Sequence, residues 1–261
     1  MADRALLDAV TAVTQEAGAL AMRRWDEGFA SWDKAPGHPV SAVDLEVDAL
    51  LRERLGAIDP QAGWLSEETV DASDRLTRRR LWVVDPIDGT RDYIRRRIGW
   101  CVSVALVEDA QPVLGVLDAP ARGECWTGLA GGGAWRNGVA LAASTRKLLP
   151  GARAPTDSLP REDRDLTVVA KPNSIALRMA MVAADEADLL ATLRWGNEWD
   201  IAAAVLIARE AGAVVTDALG GVLLFNTPSA SAFGVLATSP GIHAAAVERL
   251  RTRAQATVAK A

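Results

Sequence analysis

The stretch Leu81 to Thr90 reads LWVVDPIDGT and carries the sharpest signal in the sequence. Its first four residues are apolar and predict a short buried strand. Pro86 has no backbone N–H, so we expect it to end the hydrogen-bonded ladder of that strand and to force a turn. Asp85 and Asp88 flank this turn, and both are expected to point to one place beside the end of the strand.

The residues after the turn favour an anion. Gly89 lets the backbone approach a ligand closely, and the segment from Thr90 to Ile94 is typical of a helix start. The free N–H groups and positive dipole end of such a start suit a phosphate, so Asp88, Gly89 and Thr90 are candidate phosphate-binding residues. Two carboxylates beside a phosphate imply a hard cation that prefers oxygen ligands. Taken alone, the motif is equally consistent with a turn closed by aspartate side-chain hydrogen bonds.

Three further acidic residues stand where elements begin or end. Glu67 follows a short apolar stretch and is, by itself, typical of a solvated surface pair. Asp44 lies three residues after Ser41, the spacing of a helix capping box. Asp200 lies at the same distance from Asn197, ahead of an apolar helix, and is by itself typical of a helix cap.

The pattern as a whole predicts a layered α/β protein in which helix and sheet layers alternate. Apolar spacing predicts a first helix over residues 1–25 and a second that opens at Ser41. The predicted strands are 81–84, 102–107, 113–117, 133–135, 166–170, 213–216 and 234–237, and the later helices are 174–184, 198–211 and 241–253. We expect two α/β halves, residues 1–141 with the main acidic motifs and residues 142–261 completing the site, in one compact unit.

Composition excludes several classes of function. Acidic residues outnumber basic ones by 34 to 29, and there are only three Phe and one Tyr, so binding to a nucleic-acid polymer is not expected. Cys101 and Cys125 are the only cysteines, and neither has a histidine at ligand spacing, which argues against zinc and against a disulfide framework. No signal-peptide core or membrane-spanning run is visible, so a cytoplasmic protein without membrane contact is expected.

The acidic elements, taken together and in order, resemble the inositol monophosphatase superfamily of magnesium-dependent, lithium-sensitive phosphatases over almost the whole chain. The motifs that carry the resemblance are Pro39 to Asp44, Leu65 to Glu68, Leu81 to Tyr93, Trp199 to Ala203, and Glu210 to Gly212. Ser41 departs from the usual Thr, although its hydroxyl can still cap the helix. The resemblance implies the sugar-phosphatase fold of that family and the activity of a magnesium-dependent phosphoric monoester hydrolase.

Carried over residue by residue, the resemblance implies a site for two or three Mg²⁺ ions. The implied metal ligands are the side chains of Glu67, Asp85, Asp88 and Asp200 and the backbone carbonyl of Ile87. Asp44 and Thr90, with Glu67, would position and activate the attacking water. Such a site suits a phosphate monoester, because phosphoryl transfer depends mainly on positioning and on neutralising charge.

Within the superfamily, the sequence is most similar to the 3'(2'),5'-bisphosphate nucleotidases, which convert 3'-phosphoadenosine 5'-phosphate to AMP. Ser66 stands where inositol phosphatases usually have Gly, and two segments, Gly89 to Tyr93 and Arg194 to Gly196, follow the nucleotidase style. Leu193 stands near the position of the acidic residue that contacts inositol hydroxyls in the other branch. Leucine cannot accept those hydrogen bonds.

A second phosphate on the substrate needs cations, and Lys171 and Arg194 are candidate substrate-binding residues. The run Arg95 to Arg97 is another candidate, with a solvated loop as its alternative. Ser174 resembles a substrate-side serine of the family, although Asn173 replaces a glycine there and an ordinary helix cap is the alternative. The nine tryptophans are expected in the core, except that Trp195 is equally consistent with stacking on a base.

Two other functions stay open at this point. An inositol 1-phosphate or histidinol phosphate phosphatase would use the same fold and the same metal ligands on another small phosphorylated metabolite. A regulatory metabolite-binding protein without turnover, interacting through a dimer face, is an alternative of another class. The presence of all four metal carboxylates argues against that loss of turnover, while a homodimer is consistent with the family in either case.

Overall fold

The computed structural model describes residues 2–35 and 38–259. The helices are α1 (Arg4–Glu27), α2 (Ala42–Ile58), α3 (Thr90–Ile94), α4 (Ile175–Ala183), α5 (Ala202–Glu210) and α6 (His243–Val258). The strands of the first half are β1 (Ser31–Ala35), β2 (His38–Ser41), β3 (Gly63–Ser66), β4 (Arg80–Asp88), β5 (Cys101–Glu108), β6 (Gln111–Ala119), β7 (Glu124–Leu129), β8 (Gly133–Arg136) and β9 (Val139–Ala140). Those of the second half are β10 (Arg153–Pro155), β11 (Thr167–Val169), β12 (Leu189–Asn197), β13 (Val214–Thr216) and β14 (Ser231–Thr238).

Helix and sheet layers alternate, which confirms the predicted architecture. Strands β3 to β9 form a seven-stranded sheet in chain order, parallel only between β3 and β4. Helices α1 and α2 cover one face of it, and α4 and α5 cover the other. A three-stranded antiparallel sheet in the order β12-β14-β13 packs on the far side of α4 and α5, and α6 closes the stack.

Strand β4 is apolar without alternation because both of its faces are covered. Leu81 and Val83 pack toward α4 and α5, whereas Trp82 and Val84 pack toward α1 and α2. The apolar run Leu81 to Val84 therefore lies between two layers of helices.

One detail of this strand corrects the sequence prediction. Pro86 does not end β4, which continues to Asp88. Asp85 pairs with Ser103 and Asp88 pairs with Cys101, so three steps along β4 match two steps along β5. This mismatch is a β-bulge, and a bulge is a place where a sheet tolerates proline.

Several other expectations need correction. Strand β12 and strand β7 were not predicted, and α5 begins at Ala202 rather than at residue 198, so that Asp200 precedes the helix. Trp82, Trp100 and Trp126 are fully buried, as expected of core residues. The prediction that Trp32 lies in the core is wrong, because Trp32 is 46% exposed. Trp195 is 51% exposed.

In the described part of the chain, no helix combines the length and the apolar character that crossing a membrane requires.

Candidate active site

Three carboxylates from two parts of the chain meet at the end of β4. Asp85, Asp88 and Asp200 each offer an oxygen that lies within 4.8 Å of the other two. In a regular strand, residues three apart point to opposite faces of the sheet. The bulge in β4 adds one residue between Asp85 and Asp88, which lets both side chains point to the same side.

Asp88 is held by the start of α4. Its Oδ2 accepts the Ser174 hydroxyl at 2.5 Å and the Ala176 N–H at 2.8 Å, and Oδ1 lies 3.4 Å from the Ile175 N–H. The Ser174 hydroxyl oxygen also accepts the N–H of Leu177 at 2.9 Å, so this residue caps α4. Ser174 is fully buried and therefore faces Asp88 rather than the open cleft.

Gly89 makes the turn between β4 and α3. Its φ of 96° lies in the left-handed region that side chains other than glycine rarely adopt. A Cβ at this position would lie 2.8 Å from the carbonyl oxygen of Gly99 and 3.0 Å from the backbone nitrogen of Ser174. Only glycine fits this turn, which sets α3 directly beside the carboxylates.

Asp44 lies close to Thr90, which lines the cleft. The Asp44 Oδ2 accepts the backbone N–H and the hydroxyl of Ser41, at 2.9 and 2.6 Å, which confirms the predicted capping box of α2. The Thr90 hydroxyl lies 2.9 Å from the carbonyl oxygen of Ile87 and 3.4 Å from Asp44 Oδ1. This hydroxyl has one proton and can donate to only one of the two at a time.

Glu67 follows β3 and lines the same cleft as Asp85 and Asp200, outside the three-residue group. Its backbone N–H donates to the carbonyl of Val84 at 3.3 Å, which ties it to β4. The next turn of the chain is fixed by Asp48 of α2, which accepts the hydroxyls of Ser66 and Thr69.

The carboxylates of the cluster are buried and close together, and both effects raise their pKa values. Burial raises the pKa of Asp85 well above its usual range, and the neighbouring charges of Glu67 and Asp88 raise it further. Burial and the charge of Asp88 likewise raise the pKa of Asp200. Burial raises the pKa of Asp88 too, opposed by its hydrogen bond from Ser174. Buried like charges are costly unless a cation joins them, and clustered carboxylate oxygens are the donors that Mg²⁺ prefers.

Basic side chains surround the carboxylates in a cleft of about 860 Å³. Lys171 lines it, and its ammonium group pairs with Asp157 at 2.8 Å. Arg194 also lines it, on the exposed part of β12, and its guanidinium makes no hydrogen bond or ion pair with a described residue. The positive charge of Arg194 opposes the rise in the pKa of Asp200. Arg95 to Arg97 lie outside the cleft lining, and Arg96 sits over the ring of Phe29.

Arg178 is a cleft residue that the sequence prediction missed. Its Nε donates to the carbonyl of Pro172 at 2.9 Å, and its Nη2 donates to the carbonyl of Asn173 at 2.6 Å. Burial lowers its pKa, an effect that the charge of Asp88 opposes. A signal was available, because Arg178 is the only charged residue in the apolar helix α4.

Glu198 supports the turn that carries Asp200, and its role was also missed. It is fully buried and accepts the N–H groups of Asn226 and Thr227 at 2.6 and 2.9 Å. The Asn226 side-chain oxygen accepts a hydrogen bond from Arg75 at 2.7 Å, which joins this turn to the chain segment after Glu67.

Comparison with known proteins identifies the family of this chain. A model of the inositol monophosphatase family matches residues 3–260. The 3'(2'),5'-bisphosphate nucleotidase CysQ of Aggregatibacter actinomycetemcomitans is 30% identical over 81% of this chain and 84% of its own. Inositol monophosphatase 2 of Solanum lycopersicum is 31% identical over 69% of this chain and 75% of its own. The solved structure of a Thermotoga maritima IMPase matches with a TM-score of 0.82 and 26% identity, over 96% of this chain and 98% of its own.

The nucleotidase and the inositol monophosphatase stand at nearly equal identity, so these relatives agree on the family and not on a substrate. The family match spans nearly the whole chain, and the two relatives are named as a bisphosphate nucleotidase and an inositol monophosphatase. The carboxylate cluster supplies the oxygen donors that magnesium chemistry needs. The chain belongs to the inositol monophosphatase family and is a magnesium-dependent phosphoric monoester hydrolase.

Proposed function

We propose that this phosphatase hydrolyses a phosphate monoester that carries a second anionic group, with 3'-phosphoadenosine 5'-phosphate, converted to AMP and phosphate, as the leading candidate. The observation that carries the proposal is the charge pattern of the cleft. The carboxylate cluster can hold Mg²⁺ at one end, while Lys171, Arg178 and Arg194 add positive charge beside it. A monoester with a single phosphate needs fewer cations than this cleft offers.

In this proposal the cluster holds two or three Mg²⁺ ions. The ligands are the carboxylates of Glu67, Asp85, Asp88 and Asp200 and the carbonyl of Ile87. When bound, Mg²⁺ supplies positive charge that neutralises phosphate oxygens and makes water more acidic. Ser174 acts through Asp88, because its buried hydroxyl fixes the direction of that carboxylate.

Asp44, Thr90 and Glu67 position and activate the attacking water. The Asp44 Oδ2 is occupied by Ser41, which leaves Oδ1 to accept the Thr90 hydroxyl proton. When Thr90 donates to Asp44, its oxygen can accept a hydrogen bond from water, and the carbonyl of Ile87 no longer receives the Thr90 proton. The backbone of Gly89 and Thr90, next to Asp88, faces the cleft and is proposed to hold the phosphate.

An inositol 1-phosphate or histidinol phosphate phosphatase remains the second candidate, since a named inositol monophosphatase is as similar as the nucleotidase. Leu193 lines the cleft and favours the nucleotide, because it offers no acceptor to a sugar hydroxyl. A regulatory protein without turnover is disfavoured, because none of the proposed metal carboxylates is replaced.

The test is phosphate release with Mg²⁺ from 3'-phosphoadenosine 5'-phosphate, inositol 1-phosphate and histidinol phosphate, compared as kcat/KM. We expect the nucleotide to be preferred, and Arg194→Gln to reduce its kcat/KM roughly tenfold while changing the inositol phosphate little. Preference for inositol phosphate would overturn the substrate and leave the metal site standing. No release from any ester by a folded, Mg²⁺-loaded protein would support the regulatory alternative.

A further inference from the structure

A second cavity lies beside the active-site cleft, in the second half of the chain. Its volume is about 220 Å³, it is partly open to solvent, and residues of β12, α6 and the segment 156–166 line it. Leucine side chains form much of its wall: Leu149, Leu159, Leu166, Leu189, Leu190 and Leu250. None of the residues proposed to bind metal or to activate water lines it.

This cavity is unfilled space next to a hydrophobic core. Leu149, Leu189 and Leu250 belong to the same buried cluster as Ala246 of α6, whose side chain also lines the cavity. Small-molecule sites are typically concave, with mostly apolar walls and a few polar groups that fix the ligand. The leucine-lined cavity with its arginine side chains has this form.

Among the described residues that line the cavity, one cation is available to a ligand. Arg249 and Arg253 line it, but each is already paired, Arg249 with Asp165 at 2.7 Å and Arg253 with Asp163 at 2.8 Å. Arg178 also lines it, and its guanidinium donates hydrogen bonds to the neutral carbonyls of Pro172 and Asn173. Its Nη1 has no hydrogen-bond partner within the described residues.

We propose that this cavity binds a small amphiphilic monoanion, an apolar ring or short chain with one carboxylate that pairs with Arg178. The size fits, because an apolar cavity of about 150 Å³ holds a benzene ring. The larger volume here leaves room for a short anionic tail. Apolar walls favour the ring, and a planar guanidinium matches a carboxylate with two parallel hydrogen bonds.

Binding in the cavity should affect the active site through Arg178, which lines both spaces. A carboxylate that takes this guanidinium removes positive charge from the cleft, so an anionic substrate should bind less tightly and its KM should rise. By linkage, the substrate should weaken the amphiphile by the same factor. This part of the inference rests on the proposed function, whereas binding itself does not.

The probe for binding is phenylacetate, titrated into the full chain with Mg²⁺ in a calorimeter. Acetate, which has the charge without the ring, and phenethylamine, which has the ring with the opposite charge, are the matched comparisons. We expect saturable binding of phenylacetate at one site per chain and much weaker binding of the other two.

Ala246→Leu fills the cavity and should weaken phenylacetate at least about tenfold, because the added carbon atoms occupy the space of the ring. Ala245→Leu, an exposed neighbour on α6, should bind like the native chain. Both variants should keep the native melting temperature within a few degrees and the native kcat. Phenylacetate should raise the KM of the anionic substrate in the native chain and in Ala245→Leu, but not in Ala246→Leu.

Absence of saturable binding would overturn the proposal, and so would equal binding by Ala246→Leu or by phenethylamine. Calorimetry needs no turnover, so the site can be judged even if the proposed substrate is not hydrolysed.

Discussion

At the scale of single residues, the site depends on side chains that fix other side chains. Asp88 is the clearest case, since three donors from the start of α4 set its direction. A carboxylate fixed in this way loses little freedom when it binds a cation, which favours binding.

Ser174→Ala should therefore weaken Mg²⁺-dependent turnover by roughly 10–100-fold and raise the Mg²⁺ concentration at half-saturation. The loss of the α4 cap should also lower stability by about 1 kcal/mol. Phosphate release as a function of Mg²⁺ measures the first effect, and thermal unfolding measures the second. Ser73→Ala, at an exposed serine outside the site, is the control. Unchanged Mg²⁺ dependence in Ser174→Ala would show that Asp88 needs no such support.

The carboxylates could be found from the sequence because each belongs to a short local motif in the right order. Arg178 could not be placed in this way, since its function depends on where α4 packs against β12. The burial of Ser174 could not be predicted either. A serine at a helix start gives the same sequence pattern whether its hydroxyl faces a ligand or a buried carboxylate.

At the scale of elements, the main differences from the sequence prediction arise from pairing. Proline removes a ladder hydrogen bond, so the sequence predicts a strand end at Pro86. In the structure Pro86 lies in the bulge of β4, where the hydrogen-bonded ladder is interrupted and an N–H is not required. Strand β12 contains another irregularity, where Thr192 pairs with Val235 and Trp195 with Phe233. Its hydrophobic alternation is broken there, which is why the strand gave no clear signal.

Asp118, near the end of β6, gives a prediction about stability and pH. It is 6% exposed, and burial raises its pKa to about 7. Its unfolded pKa is about 3.9, so between these values the folded state holds a proton that the unfolded state has released. The protonated Asp118 therefore favours the folded state most at pH values below the unfolded pKa. This contribution to the free energy of unfolding is lost as the pH rises from about 3.9 to about 7.

The loss amounts to at most about 4 kcal/mol, from the pKa difference at about 1.4 kcal/mol per unit. Asp118→Asn removes the charged form, so it should be more stable than the native chain at pH 8 and should flatten the pH dependence between pH 4 and 7. Urea unfolding at a series of pH values measures both. Asp109→Asn, an exposed carboxylate after β5, should behave like the native chain, and equal slopes for Asp118→Asn and the native chain would contradict the assignment.

At the scale of the whole molecule, the two expected halves share one core. The largest hydrophobic cluster joins Leu65 and Leu81 of the first half to Leu190 and Val235 of the second. The layered class was predictable from the alternation of elements, but the joint core was not, because it depends on α4 and α5 lying between the two sheets.

We expect residues 1–141 and 142–261 to unfold together in one transition, since separating them would expose this cluster. Differential scanning calorimetry of the full chain should show one peak whose calorimetric and van't Hoff enthalpies agree. Two resolved peaks would show that the halves are independently stable. A fragment of residues 1–141 alone should fail to give a cooperative transition.

At this scale the active site itself joins the two halves, because carboxylates from both are proposed to hold the Mg²⁺ needed for phosphate release. The most direct test is phosphate release against Mg²⁺ concentration for the native chain, Asp85→Asn, Asp200→Asn, and the exposed control Asp74→Asn. Both site variants should lose at least about 100-fold in turnover, while the control stays active. Without Mg²⁺ the site variants should be at least as stable as the native chain, because each removes a buried charge from a repelling group. Full Mg²⁺-dependent activity in either folded site variant would contradict the claim.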